Sequence, residues 1–306
     1  MVTPYQLFYE SLKTEATKRV YRIHIEKFFE HAQTDYDKLV LLSKEEISEL
    51  VYNYVIHLKD LTTKTQVPSP NSYGNYLSPI QTFLEQNDIL LNWKKIKRLC
   101  PKKIPTANQL PYTDKDIREL LESTTSIRNK AFIHFMASSG VRVGAIPTLQ
   151  IQDVKPIEEG AIVTIYRDST EEYRTCLTPE AYTYLKKYLS QRLDKDDESV
   201  LFTRKDNLTP LNETSAKDVI RHVRKQAKLS IDNGRKSTKG KSQNHAFRKR
   251  FEICLASSDL QSKFIEYLMG HFTAQDRYYF RGVSDESLYS QFKRGIPALT
   301  IDKSGH

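Results

Sequence analysis

The sequence predicts a mainly α protein of two domains, a helical N-terminal one and an α-rich C-terminal one holding a small antiparallel β-sheet. Three observations carry this. Apolar residues recur at helical spacing through most of the 306 residues, and several of these runs open on a capping residue. A proline-marked stretch without helical period, PKKIPTANQLP (101–111), interrupts them once. One pair of β-branched segments, AIVTIY and YRTCLTP, flanks the polar turn RDSTEE.

The elements follow in order. In the first domain, residues 1–106, TKRVYRIHIEKFFEHA sets Val20, Ile23, Ile25, Phe28 and Phe29 on one helical side with basic residues interleaved. LLSKEEISELVYNYVIHL opens on Ser43-x-x-Glu46, a capping box, and continues with Ile47, Leu50, Val51, Tyr54 and Val55. The polar stretch TTKTQVPSPNS separates it from another apolar-periodic run within YGNYLSPIQTFLEQN. Pro101, Pro105 and Pro111 then mark an extended linker. The second domain, residues 107–306, starts at Thr113-x-x-Asp116. Helices at 115–123 and 126–138 lead to a loop with Gly140 and Arg142, a short helix, the hairpin, and a helix begun by Pro179. Further helices are expected in SAKDVIRHVRKQA, AFRKRFEICLAS, KFIEYLM and SDESLYSQFK.

Composition narrows the function. Lys and Arg number 47 against 38 Asp and Glu, a net charge of +9, which favours a polyanionic partner such as nucleic acid. The excess is concentrated between 221 and 250, where Asp232 is the lone acid among Arg221, Arg224, Lys225, Lys228 and their successors. Within that run Arg235, Lys236, Lys239, Lys241 and Lys249 are the candidates for DNA phosphate contacts. Cys100, Cys176 and Cys254 are odd in number and far apart, which argues against a disulfide framework or zinc site and for a reducing compartment. MVTPYQLFYESLK lacks the apolar stretch of a secretory signal, and no run reaches membrane-span length. A soluble, cytoplasmic, DNA-associated protein without membrane partners is expected.

Five polar groups then stand in one order: Arg142 in SSGVRVGAIPTLQ, His245 and Arg248 in NHAFRKR, His271 in EYLMGHF, and Tyr278–Tyr279 in RYYFR. Singly each has an ordinary reading: a surface arginine, a basic helix face, a helix C-terminal cap, core aromatics. Together they suit phosphodiester cleavage without a metal or cofactor. Two arginines fork onto phosphate oxygens, histidines manage protons, and a tyrosine attacks.

In these residues the chain resembles the tyrosine recombinase (phage integrase) family over about residues 5–300. The family pattern falls on Gly140-Val141-Arg142, a basic residue of the 162–178 hairpin, His245-Ala246-Phe247-Arg248, Gly270-His271 and the tyrosine pair. GVRVGAI, YLMGH and RYYFR look most like integrases of archaeal mobile elements. The resemblance implies a core-binding N-terminal domain and a catalytic C-terminal domain closing on duplex DNA attachment sites, as a dimer and then a synaptic tetramer. It also implies that a C-terminal segment docks on a neighbouring protomer; LYSQFKRGIPALTI is the candidate, and otherwise needs burial on its own domain.

By resemblance Arg142 and Arg248 clamp the scissile phosphate, His245 accepts the nucleophile's proton, His271 donates a hydrogen bond, and the tyrosine forms a 3′-phosphotyrosine. Three departures stand out. The acid that many members carry shortly after the first arginine is Ala145 here. The hairpin lysine that usually protonates the leaving 5′-oxygen is absent; the turn offers only Arg167, a poor proton donor able to stabilise the leaving alkoxide, with Arg174 further on and Lys239 or Lys241 able to compensate. The distance from His271 to the tyrosines is short, so Tyr279 is the closer match and Tyr278 the alternate, delivered in cis or in trans. The leading expectation is a site-specific recombinase of a mobile element. A Xer-like chromosome dimer resolvase, a nicking-closing topoisomerase, a non-catalytic DNA-binding relative and an RNA-binding helical protein stand as alternatives.

Overall fold

Local chemistry fixes the helix starts. The Ser43 hydroxyl accepts the Glu46 amide at 3.2 Å while the Glu46 carboxylate accepts the Ser43 amide at 2.8 Å, and the helix Lys44–Thr65 grows from this box. Thr113 and Asp116 form the same box ahead of Asp114–Glu122, and the Thr178 hydroxyl accepts the Ala181 amide ahead of Pro179–Ser190. The computed structural model describes residues 2–104, 110–194, 196–204, 209–229, 243–271, 273, 280 and 282–302. The chain divides into two compact units, Met1–Pro105 and Thr106–His306.

The first unit is helical. Its helices Glu15–Ala32, Lys44–Thr65 and Tyr73–Gln86 close around Ile25, Phe28, Val51, Tyr54, Ile80 and Phe83. Two sequence expectations are corrected here. Val20 and Ile23 are 43% and 42% exposed rather than on the buried side. At about 100° per residue Ile23 lies roughly 200° around the helix from Ile25, so the expected stripe was too wide for one face. The helix Lys44–Thr65 also runs on through TTKT and stops only at Gln66, which is left-handed and donates its amide to the Thr62 carbonyl; Thr62, Thr63 and Thr65 each donate their hydroxyl to the carbonyl four residues back.

In the second unit the helix Ile127–Ser139 is the centre. Phe132, Ile133, Phe135, Met136 and Ala137 are all buried, and a helix apolar all round belongs inside a core. It packs on the helix Pro179–Ser190 and on a three-stranded antiparallel sheet of order β1-β2-β3: Val154–Ile157, Gly160–Ile165 and Tyr173–Leu177. The β2–β3 pair is the expected hairpin, in register Ile165↔Tyr173. β1 is an addition. Its four residues include Lys155 and Pro156, and proline is tolerated because this strand lies at the sheet edge.

The C-terminal segment folds onto this same unit. Leu288, Tyr289, Phe292, Leu299 and Ile301 are buried, and the Glu180 carboxylate accepts the Ile301 and Asp302 amides at 2.9 and 3.1 Å. Among the described residues no helix is long and apolar enough to cross a membrane.

Candidate active site

The helix Ile127–Ser139 ends at Gly140, whose φ of 61° is left-handed. A Cβ there would lie 2.3 Å from the Phe251 ring, so glycine is required twice over. This sharp exit sends Val141 inward and leaves Arg142 exposed at the start of the 3-10 turn Val143–Thr148. The Arg142 carbonyl accepts the Ala145 amide at 2.9 Å, but its guanidinium makes no hydrogen bond or ion pair with any described residue. Ala145 is buried and has no polar side chain to offer it.

The second arginine is held very differently. His245 is the first residue of the helix His245–Ala256 and is exposed; Arg248, one turn on, is 4% exposed. The Arg248 guanidinium donates to the Gly140 carbonyl at 2.7 Å, to the Met269 carbonyl at 2.5 Å and to His271 Nε2 at 2.8 Å. One side chain thereby joins three segments far apart in sequence. Arginine only donates, so Nε2 of His271 accepts, and the proton of the neutral ring sits on Nδ1.

His271 owes its place to a helix end. The helix Ser262–Leu268 closes in a Schellman motif: the His271 amide donates to the Glu266 carbonyl and the Gly270 amide to the Tyr267 carbonyl, each at 2.8 Å. Gly270 has φ 63°, and a Cβ on it would lie 2.5 Å from the ring of buried Tyr173.

The electrostatics are cationic. Burial, and then the charge of nearby Arg142, hold the Arg248 guanidinium below its usual range. Loss of solvent, then Arg248 and Arg142, hold the His271 ring below the ordinary histidine value, which keeps it neutral near pH 7. No described carboxylate forms an ion pair with either arginine. Two guanidiniums gathered without an ion-pair partner among the described residues make a site suited to an anion.

Two tyrosines complete the floor. Burial pushes Tyr173 up to about 12, against the opposing pull of Arg248 and Arg142. Tyr166 follows β2 in the left-handed region at φ 55°, is half-buried, and lies 6.5 Å from Tyr173 between ring centroids. Burial raises its phenol as well, and the opposing influence of Arg142, then of Arg248, places both guanidiniums within its electrostatic range. Glu213, at the start of the helix Glu213–Gln226, stands beside Gly144 and also acts on Tyr166.

The phage integrase family model matches residues 111–278, more than half of the 306-residue chain. The chain belongs to the phage integrase family. It is a tyrosine recombinase, an enzyme of DNA strand cleavage and religation. A curated tyrosine recombinase of Agathobacter rectalis is 23% identical over 266 residues, covering 84% of this chain and 82% of the relative. A solved lambda integrase dimer bound to a COC′ core site has a TM-score of 0.59 at 14% identity, covering 90% of this chain and 94% of that one. The Tn1549 transposon integrase in complex with a circular intermediate DNA has a TM-score of 0.59 at 13% identity, covering 96% and 100%. At such identities the likeness establishes the tyrosine recombinase fold.

Of the integrase residues singled out in the sequence, Arg142, Arg248 and His271 converge, with His245 one helical turn from Arg248. Lys249 is half-buried on the same helix. Arg167 is engaged elsewhere: its Nε pairs with buried Asp153 and its Nη2 donates to the Gln152 carbonyl at 2.9 Å. Tyr278, Tyr279, Arg235, Lys236, Lys239 and Lys241 lie outside the described residues. Sequence reasoning missed Tyr166, Tyr173 and Glu213, and gave Arg174 only a secondary place. Arg174 donates to Asp285 Oδ1 and the Val283 carbonyl at 2.7 Å, and to the Phe280 carbonyl at 3.1 Å. Its signal was its position on a strand that faces the Gly-His turn.

Proposed function

We propose that this chain is a site-specific recombinase that integrates or excises a mobile element, cutting and rejoining duplex DNA at attachment sites through a 3′-phosphotyrosine. The observation that carries this reading is the Arg248 guanidinium, buried, bonded to Gly140, Met269 and His271, and lying beside an Arg142 without a described counter-charge. Such a pair is built for a phosphodiester. Arg142, with its whole guanidinium, and Arg248, through the N–H groups that its three bonds leave, neutralise the non-bridging oxygens as charge builds in the pentavalent transition state.

The remaining roles follow from the chemistry. Tyr279 is the nucleophile, with Tyr278 as alternate; its hydroxyl has an ordinary pKa of about 10 and needs a proton acceptor, for which we assign His245. His271 already accepts from Arg248 through Nε2, so its Nδ1–H is the hydrogen-bond donor to the phosphate. Attack by the phenol forms the tyrosine–phosphorus bond and breaks the bond to the 5′-oxygen. Another 5′-hydroxyl reverses the step without ATP. Arg167 holds the hairpin position, but its guanidinium is committed to Asp153 and Gln152.

We assign residues 1–106 to core-site DNA binding and 107–306 to catalysis. Duplex attachment sites and a second copy are the partners, first in a dimer and then in a synaptic tetramer. The wording of GVRVGAI, YLMGH and RYYFR supports kinship with integrases of archaeal mobile elements. A Xer-like resolvase would use the same residues on a different DNA site.

The test is a nicked suicide duplex carrying the attachment site. An SDS-resistant protein–DNA adduct is expected from the wild type and from Tyr278→Phe, and none from Tyr279→Phe. Loss in Tyr278→Phe alone moves the nucleophile by one residue. Tight duplex binding with no adduct from the wild type makes the chain a non-catalytic clamp.

A further inference from the structure

Strand cleavage releases a 5′-alkoxide, and that oxygen needs a proton as its bond to phosphorus breaks. The turn after β2, Tyr166 to Glu172, contains no lysine. Its one arginine, Arg167, is a poor acid, because a guanidinium does not give up its proton in proteins. Its guanidinium is also occupied by Asp153 and the Gln152 carbonyl. Immediately before it stands Tyr166. Its φ of 55° is an uncommon one for a bulky side chain. Strain of this kind persists where the surrounding structure enforces it, often at functional sites. The Tyr166 carbonyl accepts the Ser169 amide at 3.1 Å, which locks the turn. The ring packs half-buried at 6.5 Å from Tyr173, whose own ring lies against Gly270, the neighbour of His271. Arg142 and Arg248 both act on its phenol.

We propose that the Tyr166 hydroxyl is the general acid of this active site, giving its proton to the leaving 5′-oxygen as the bond from phosphorus to Tyr279 forms. The proposal rests on the recombinase reading above. The step balances. The electron pair of the breaking P–O bond goes to the 5′-oxygen, the Tyr166 proton follows it, and the resulting phenolate is favoured by the positive charge of Arg142 and Arg248. In religation the phenolate takes the proton back from the attacking 5′-hydroxyl. Acidity makes the exchange sensible: phenol and lysine ammonium have ordinary pKa values of about 10 and 10.4, so the tyrosine matches the missing lysine as a donor where arginine does not. Burial keeps the resting phenol protonated near pH 7.

The experiment compares two suicide duplexes, one ordinary and one with sulfur replacing the bridging 5′-oxygen at the scissile phosphate. A thiolate, with a pKa of about 8.5, leaves without a proton. Tyr166→Phe is expected to form adduct on the ordinary duplex about 100-fold slower than wild type or worse, the usual scale of acid catalysis. On the sulfur duplex it should match the wild type. Arg142→Ala, which removes a phosphate-binding group, should be slow on both. Tyr166→Lys restores a donor of similar pKa and should cleave ordinary DNA well above the Tyr166→Phe rate, which keeps the test open if the phenylalanine variant folds poorly. Wild-type rates from Tyr166→Phe on ordinary DNA overturn the proposal, as does slowness on both duplexes. No adduct from the wild type on either duplex removes the recombinase reading and this assignment with it.

Discussion

On the central helix of the catalytic unit, His134 is 2% exposed, with its ring stacked 4.1 Å from Tyr184 and neither nitrogen hydrogen-bonded to a described residue. Glu180 lies 4.0 Å from Nδ1, but its oxygens accept the Ile301 and Asp302 amides, so burial prevails and pushes His134 down to about 3. The folded pKa is therefore below the unfolded one. Above about pH 6.5 both states are neutral and stability is flat. As pH falls from there toward about 3, the unfolded chain binds a proton that the native state refuses, and stability drops by about 1.4 kcal/mol per pH unit. Between pH 6.5 and 5, urea unfolding should show the wild type losing about 2 kcal/mol more than His134→Phe, which keeps the stacked ring without the titration. Equal losses in the two proteins would contradict this. His134 was not legible in the sequence because it stands in no motif. Arg142, His245, Arg248 and His271 were, because their order along the chain is itself the signal. What order cannot disclose is that Arg248 turns inward onto two backbone carbonyls and a histidine ring.

Elements were legible where their cause is local. Ser43 with Glu46, Thr113 with Asp116, and Pro179 each announce a helix from within four residues. β1 was not, since VKPI becomes a strand through its pairing with Gly160–Val163 rather than through its own propensity. The same dependence on partners hid the role of Arg174 on β3. Its guanidinium grips Asp285 and the Phe280 and Val283 carbonyls, Lys155 on β1 takes the other Asp285 oxygen at 2.7 Å, and the Phe280 ring stacks 4.1 Å from Tyr267. Phe280 follows Tyr279 directly, so the sheet anchors the residue to which the assigned nucleophile is joined. This favours delivery of the tyrosine within its own protomer. Arg174→Ala, which strands two carbonyls and a carboxylate, is expected to slow adduct formation about 10- to 100-fold with duplex affinity unchanged, because a small misplacement of a reacting group is costly. Mixing Tyr279→Phe with Arg142→Ala should then restore no adduct. Recovery in the mixture would mean that the tyrosine crosses to the partner.

At the scale of the whole molecule, the sequence misplaces part of the net charge of +9. Read linearly, 221–250 is one basic face. In the fold, Arg224, Arg248 and Arg250 are 5%, 4% and 3% exposed, Arg250 pairs with Asp114, and Arg221 pairs with Asp218. Burial removes Arg224, Arg248 and Arg250 from any extended phosphate track. The cations left for such a track are exposed Arg221, Lys225 and Lys228, half-buried Lys249, and the Arg235, Lys236, Lys239 and Lys241 group outside the described residues. Each lysine that neutralises a phosphate releases counterions, so the logarithm of the duplex association constant should fall linearly with the logarithm of salt, by about 0.9 per phosphate neutralised. Replacing Lys236, Lys239 and Lys241 together by alanine should flatten the slope by about 0.9 for every phosphate these lysines had neutralised, with the melting temperature unchanged. Arg250→Ala should do the reverse, lowering the melting temperature by removing the buried guanidinium that bonds Asp114 and the Leu299 carbonyl while leaving the slope intact. An unaltered slope in the triple variant would take the 230–242 segment off the DNA. A slope near zero in the wild type would take the duplex itself out of the function.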